Sequence, residues 1–178
     1  VKEFSSWCNW ELNCFWNSGA NSEFLGGTHL EGLVIELEKE ALDEKISVES
    51  LLRKAYLVAR KLKLKEFEDW INKEQNGYEG EVPDYRMING NYKAWNPYRG
   101  WMPVILTPEM GKFMSKIPLH TTISSLTETY ISHKNDIQFT LGAELNNWLN
   151  KTTDGFETQF VFDTSRSEIY RILSTVRN

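Results

Sequence analysis

An α+β fold, an N-terminal three-helix unit followed by a mixed small sheet with further helices, is predicted by two features of the chain. Apolar residues recur at helical spacing in three consecutive stretches between Leu33 and Gln75. After Gly80 the pattern changes to short alternating runs separated by Pro and Gly signals, with more helical stretches among them. Helices first, and strands mixed with helices afterwards, argue against the regular strand–helix alternation of a doubly wound sheet.

The first helix is expected from Leu33, with Val34, Leu37, Ala41 and Leu42 inward and Glu36, Glu38, Lys39 and Glu40 outward. Ser47 reads as an N-cap, and Glu49 places a carboxylate in the first turn, where free N–H groups favour it. Leu51, Ala55, Val58 and Leu62 then form a stripe that Leu52, Tyr56 and Ala59 widen. A third helix runs from Leu64 to Gln75 with Phe67, Trp70 and Ile71 inward. Asn76-Gly77 ends it, because glycine tolerates positive φ.

Tyr85, Met87 and Ile88 suggest a strand, Asn89-Gly90 a hairpin turn, and Tyr92 to Trp95 the return strand. A strand over Trp101 to Leu106 would lie at an edge or carry a bulge, since Pro103 lacks a donor. Thr107-Pro108-Glu109 opens a short helix through Met114. Residues 121–133 form another helix, with Ile123, Leu126, Tyr130 and Ile131 inward. Ile137, Phe139 and Leu141 alternate as a strand, and Ala143 to Leu149 is helical. Asp154-Gly155 reads as a turn. Phe156 to Phe162 alternates, with Glu157, Gln159 and Val161 on the second face. Asp163 or Thr164 would cap a last helix with Ile169, Ile172, Leu173 and Val176 inward.

Residues 1–31 stand apart as an aromatic-rich extension outside the core, with Trp7, Trp10 and Trp16 and no sustained period; residues 32–178 form the domain. The two cysteines, Cys8 and Cys14, both lie in the extension, so the body needs no disulfide, which fits a cytoplasmic location. Whether they pair is left open by their spacing. No run approaches the roughly 18 apolar residues of a membrane span, and no secretory pattern is visible. A net charge of −5 counts against a dedicated nucleic-acid binder.

The stretches Ile46-Ser47-Val48-Glu49-Ser50-Leu51-Leu52-Arg53-Lys54-Ala55, Trp70-Ile71-Asn72-Lys73-Glu74, Asn76-Gly77-Tyr78 and Val82-Pro83-Asp84-Tyr85-Arg86, with Gly90, resemble the AbiTii domain of bacterial anti-phage proteins. The resemblance is good over residues 33–100 and looser to 178. It implies a part in abortive-infection defence. It supplies no catalytic residue and no cofactor. In such proteins the closing Ser167 to Asn178 runs on into a longer helix, so a domain cut at its C-terminus is expected.

Chemistry is sparse. His29, His120 and His133 share no i, i+4 spacing and no cysteine neighbour, so no metal site is expected. There is no Gly-x-Ser-x-Gly elbow and no phosphate loop. Carboxylates Glu74, Glu79, Glu81 and Asp84 would suit a metal-dependent nuclease, but no Asp/Glu-x-Lys follows Asp84. The binding candidates are Arg86, Tyr85 and Trp70, together with Lys54, Lys61 and Lys65 on one helix face. Arg86 can grip a carboxylate or phosphate with two bonds; its internal partners would be Glu74 or Asp69. Trp70, Tyr78, Trp95 and Trp101 would form either a binding platform or a core seal. The leading expectation is a non-catalytic interaction, sensing or oligomerisation module that binds a protein partner or itself. A nucleic-acid-acting nuclease is the alternative.

Overall fold

A computed structural model describes residues 27–152 and 157–178. Three helices come first: α1 (Gly27–Leu42), α2 (Val48–Leu62) and α3 (Lys65–Asn76). Each packs on the next, as the short connections require. The predicted stripe of α2 is buried at Leu51, Leu52, Ala55, Val58 and Ala59. Ser47 caps it, its hydroxyl accepting the Ser50 N–H at 3.2 Å. α3 stops at Gly77, where φ is 94° and a Cβ would lie 2.8 Å from the His120 carbonyl oxygen. Glycine therefore serves two needs there, positive φ and a close backbone approach.

α1 is anchored less firmly. Leu33, Val34, Leu37 and Ala41 are half-buried, and none of its residues from 31 to 42 is fully buried. Leu42, expected inward, is 86% exposed. It lies five residues beyond Leu37, which at helical pitch turns it about 140° away from the packed face.

A 3-10 turn (Asp84–Arg86) leads into β1 (Met87–Asn89), β2 (Asn91–Asn96) and β3 (Gly100–Pro103). Then follow α4 (Pro108–Met114), β4 (Lys116–Pro118), α5 (Ile123–Ser132), β5 (Ile137–Thr140), α6 (Ala143–Thr152), β6 (Phe160–Thr164) and α7 (Arg166–Arg177). The fold is α+β. Its strands divide into two antiparallel sheets, β1-β4 and β3-β2-β6-β5.

This division corrects the expected hairpin at Asn89-Gly90. β1 pairs with β4, while β2 pairs with β3 and β6, so the chain crosses between sheets at Gly90. The hairpin that does form joins β2 to β3. Its turn is held by the Asn96 side-chain oxygen, which accepts the N–H groups of Tyr98 and Arg99 at 2.9 and 3.1 Å. Pro103 lies on the edge strand, as its missing donor demands.

Three further expectations shift. Ile131 is 72% exposed, being five residues beyond buried Leu126 and hence on another side of α5. Val161 does face away from Phe160 and Phe162, yet it too is buried. Asp163 and Thr164 belong to β6, and Ser165 takes the N-cap position of α7. The sheet uses Asp163 instead: its carboxylate meets Lys93 Nζ at 2.8 Å. The Asp154-Gly155 turn, Phe156, Cys8, Cys14 and the extension before Gly27 lie outside the described residues.

The core sits between helices and sheets, around Ile71, Ile88, Ile123, Leu126, Phe162, Ile169 and Ile172. α7 ties the two halves together. Its Arg171 donates to the Tyr85 and Met87 carbonyls at 3.1 and 2.7 Å. Its Arg177 donates to the Asp43 carbonyl at 3.0 Å and also to that of Ile46.

Candidate functional site

The signature stretch folds into a buried polar joint. Glu74 lies one turn after Ile71, on the inner side of α3, and both are fully buried. The loop after Gly77 doubles back and the 3-10 turn delivers Arg86 to the same place. Arg86 Nη2 meets Glu74 Oε2 at 2.5 Å, and neither side chain is exposed at all. The other terminal nitrogen of Arg86 donates to the carbonyls of Thr121 at 2.5 Å and Leu119 at 3.3 Å. Glu74 Oε1 accepts two hydroxyls, from Tyr78 at 2.6 Å and Tyr85 at 2.5 Å. Trp70 Nε1 donates to Tyr85 at 2.8 Å, and the Tyr78 ring lies 5.0 Å from the Arg86 guanidinium carbon.

The electrostatics are consistent with this donor pattern. Burial, aided by the Glu74 charge, pushes the Tyr85 hydroxyl up to about 12. Burial and the bond to Glu74 raise Tyr78 as well. Both tyrosines therefore stay protonated at neutral pH and can donate. Because the native value of Tyr85 lies above the ordinary value near 10, its contribution to stability is fully present below pH ~10 and is lost as pH rises through about 12. Tyr85→Phe should flatten part of the fall in stability over that alkaline window, read by urea denaturation at each pH. An unchanged slope would show that Tyr85 does not titrate as its surroundings demand.

The joint brings together three of the predicted binding residues, Arg86, Tyr85 and Trp70, and turns them inward. Arg86 has the internal partner Glu74. Asp69 instead points outward, 3.7 Å from Lys65. The lysines do not form one free row. Lys54 bridges to α1 through Glu36 at 2.9 Å and Glu40 at 2.5 Å, while Lys61 and Lys65 are exposed. The aromatic set also splits. Trp70 stacks on Phe67 at 5.6 Å, whereas Trp95 and Trp101 meet edge to face at 5.3 Å. Since Tyr92 and Ala94 turn toward the core, Trp95 lies on the opposite face of its sheet.

The acidic residues of the signature do not converge either. Glu79, Glu81 and Asp84 are exposed, and Glu74 is enclosed with Arg86. Among the described residues no group of three His, Cys, Asp or Glu side chains stands close enough to hold a metal. His120 Nδ1 lies 3.2 Å from the Tyr78 carbonyl, and His133 Nδ1 lies 3.0 Å from the Thr129 carbonyl at the end of α5. Two surface depressions, beside Arg53 and beside Tyr92, hold about 150 and 200 Å³. Both are smaller than a pocket for a drug-sized ligand, roughly 300 Å³ or more. Sequence reasoning missed the roles of Arg171 and Arg177 and the carbonyls of Leu119 and Thr121.

Among the described residues no helix is long and apolar enough to cross a membrane. The chain matches no curated protein and no solved structure at a significant level. A family model, AbiTii, does match, over residues 32–178. That match takes in the buried joint, both sheets and all of α7, and the chain belongs to the AbiTii family, which implies a role in abortive-infection defence against phage.

Proposed function

We propose that this domain serves phage defence in the cytoplasm as an interaction module, binding a protein partner or further copies of itself rather than transforming a substrate. The observation that carries this reading is α1, which over residues 31–42 touches the rest of the domain along one face and leaves the other uncovered by the described residues. The buried joint supports it too. Its charges are spent on one another, so Arg86, Tyr85 and Trp70 serve binding indirectly, by setting how the three-helix unit sits on the sheets. Lys61 and Lys65 lie on the helical surface offered to a partner, while Lys54 serves it indirectly by holding α1 on α2.

The competing reading is a nuclease built on Glu79, Glu81 and Asp84. Incubating the purified protein with plasmid DNA and with RNA in the presence of Mg²⁺ separates the two. No cleavage is expected, together with concentration-dependent association in sedimentation velocity or capture of a phage component. Cleavage that Asp84→Ala abolishes would establish the nuclease instead. A monomer that binds no phage component would remove the interaction reading.

A further inference from the structure

The three-helix unit is electrically divided. From Glu31 to Glu44, α1 and its following turn carry Glu31, Glu36, Glu38, Glu40, Asp43 and Glu44 against the single Lys39. From Arg53 to Lys65, α2 and its connection carry Arg53, Lys54, Arg60, Lys61, Lys63 and Lys65 with no acid. Lys54 already joins the two within one chain, meeting Glu36 and Glu40.

The outward faces keep the same division. On α1 the exposed residues Glu31, Ile35, Glu38 and Leu42 fall at i, i+4, i+7 and i+11, along one side of the helix. Ile35 and Leu42 are 50% and 86% exposed. On α2 the exposed residues Arg53, Leu57 and Lys61 fall at i, i+4 and i+8, again along one side, with Leu57 55% exposed. On α1 the exposed Ile35 has Glu31 and Glu38 beside it, with Lys39 the one opposite charge, and on α2 the exposed Leu57 is flanked by the cations Arg53, Lys54, Arg60 and Lys61. At 1.5 Å per residue Glu31 and Glu38 lie about 10.5 Å apart along the axis, and Arg53 and Lys61 about 12 Å. The rows are opposite in sign and nearly equal in length. Two α1 rows would instead set acid against acid, which disfavours pairing like with like.

We infer that the outer face of α1 docks on the outer face of α2 of a second copy of this chain, Ile35 against Leu57 and Glu31 and Glu38 against Lys61 and Arg53. This rests on the interaction reading above and names its partner and surface. Every copy carries both halves, so the contact can propagate from copy to copy unless a symmetry closes it. One helix laid on another is a small interface, so the association is weak, reversible and sensitive to salt.

The test uses charge reversal at exposed positions, where the fold is little disturbed. One variant carries Glu31→Lys and Glu38→Lys, the other Arg53→Glu and Lys61→Glu. Circular dichroism checks that both stay folded. In sedimentation velocity at low salt, the wild-type chain should associate with rising concentration, and each variant alone should associate at least about tenfold more weakly. Mixing the two variants should restore association, because the native α1 of the second meets the native α2 of the first, and the reversed α1 of the first meets the reversed α2 of the second. A wild-type chain that is monomeric at every concentration overturns self-association itself. A wild-type chain that associates while the variants do so equally well, or while the mixture stays apart, overturns this surface and leaves the broader reading standing.

Discussion

Glu74→Ala should destabilise the domain by about 3–5 kcal/mol, the range for removing one partner of a buried ion pair. Glu74 is the common acceptor for Arg86, Tyr78 and Tyr85. Without it the Arg86 guanidinium keeps only the Leu119 and Thr121 carbonyls and stays enclosed with its charge unbalanced. Domains of this size have about 5–15 kcal/mol in total, so the variant should stand near the edge of folding at 37 °C. Arg86→Met should also be costly, since it strands the Glu74 carboxylate between two tyrosines. The double change Glu74→Ala with Arg86→Met should cost less than the sum of the single changes, because it removes both charges from the interior together. Urea denaturation of the four proteins gives the coupling directly. A Glu74→Ala variant within 1 kcal/mol of wild type, or additive single changes, would contradict a buried pair at this joint.

This joint was half legible in the sequence. That Arg86 has an inward partner on the preceding helix follows from helical periodicity: Glu74 shares a face with Trp70 and Ile71, while Asp69 lies on the wet side with Lys65. The other two acceptors of Arg86 are carbonyls 33 and 35 residues away, on a loop with no motif. No local pattern encodes a backbone oxygen, so they become visible only when β4 is paired with β1. Stripes on α2 and α7 were legible because each repeats over about two turns or more, and that on α3 because Phe67, Trp70 and Ile71 stand at i, i+3 and i+4. Leu42 and Ile131 were misplaced for one shared reason: an apolar residue just after a packed one was counted with the stripe although the helix had already turned past it. The division into two sheets was hidden because Asn-Gly between alternating runs is a strong hairpin signal, and the competing reason for that glycine lies 72 residues further on, in β6.

That reason supplies the second large effect. Gly90→Ala should cost about 3 kcal/mol or more, at or beyond the upper end for overpacking a core. A Cβ at position 90 would stand 2.5 Å from the Asp163 carbonyl oxygen and 2.5 and 2.7 Å from two ring carbons of Phe162. Neither neighbour can yield. Phe162 is fully buried, set edge to face against Tyr92 at 5.2 Å, and the interior is packed too densely to offer its ring another place. Asp163 is held in the ladder opposite Asn91, with its carboxylate on Lys93. The added methyl must therefore prise β6 from the crossing. That strains the Thr164 hydroxyl bond to the Asn89 carbonyl, at 2.5 Å, which joins the two sheets, and the Glu168 grip on the Asn89 N–H at 3.0 Å, which ties β1 to α7. Gly111→Ala on α4 is the matched comparison: a Cβ there meets nothing within 4 Å. Replacing a helical glycine in open space should stabilise by roughly 0.5–1 kcal/mol. If the entropy of glycine in the unfolded chain were all that mattered, both changes would stabilise. Opposite signs, read from urea midpoints at unchanged m-value, are the expected result and isolate the close approach at Gly90. A hairpin at Asn89-Gly90 would instead tolerate alanine at about the strain of one unfavourable turn residue, and that smaller loss would overturn the crossing between sheets.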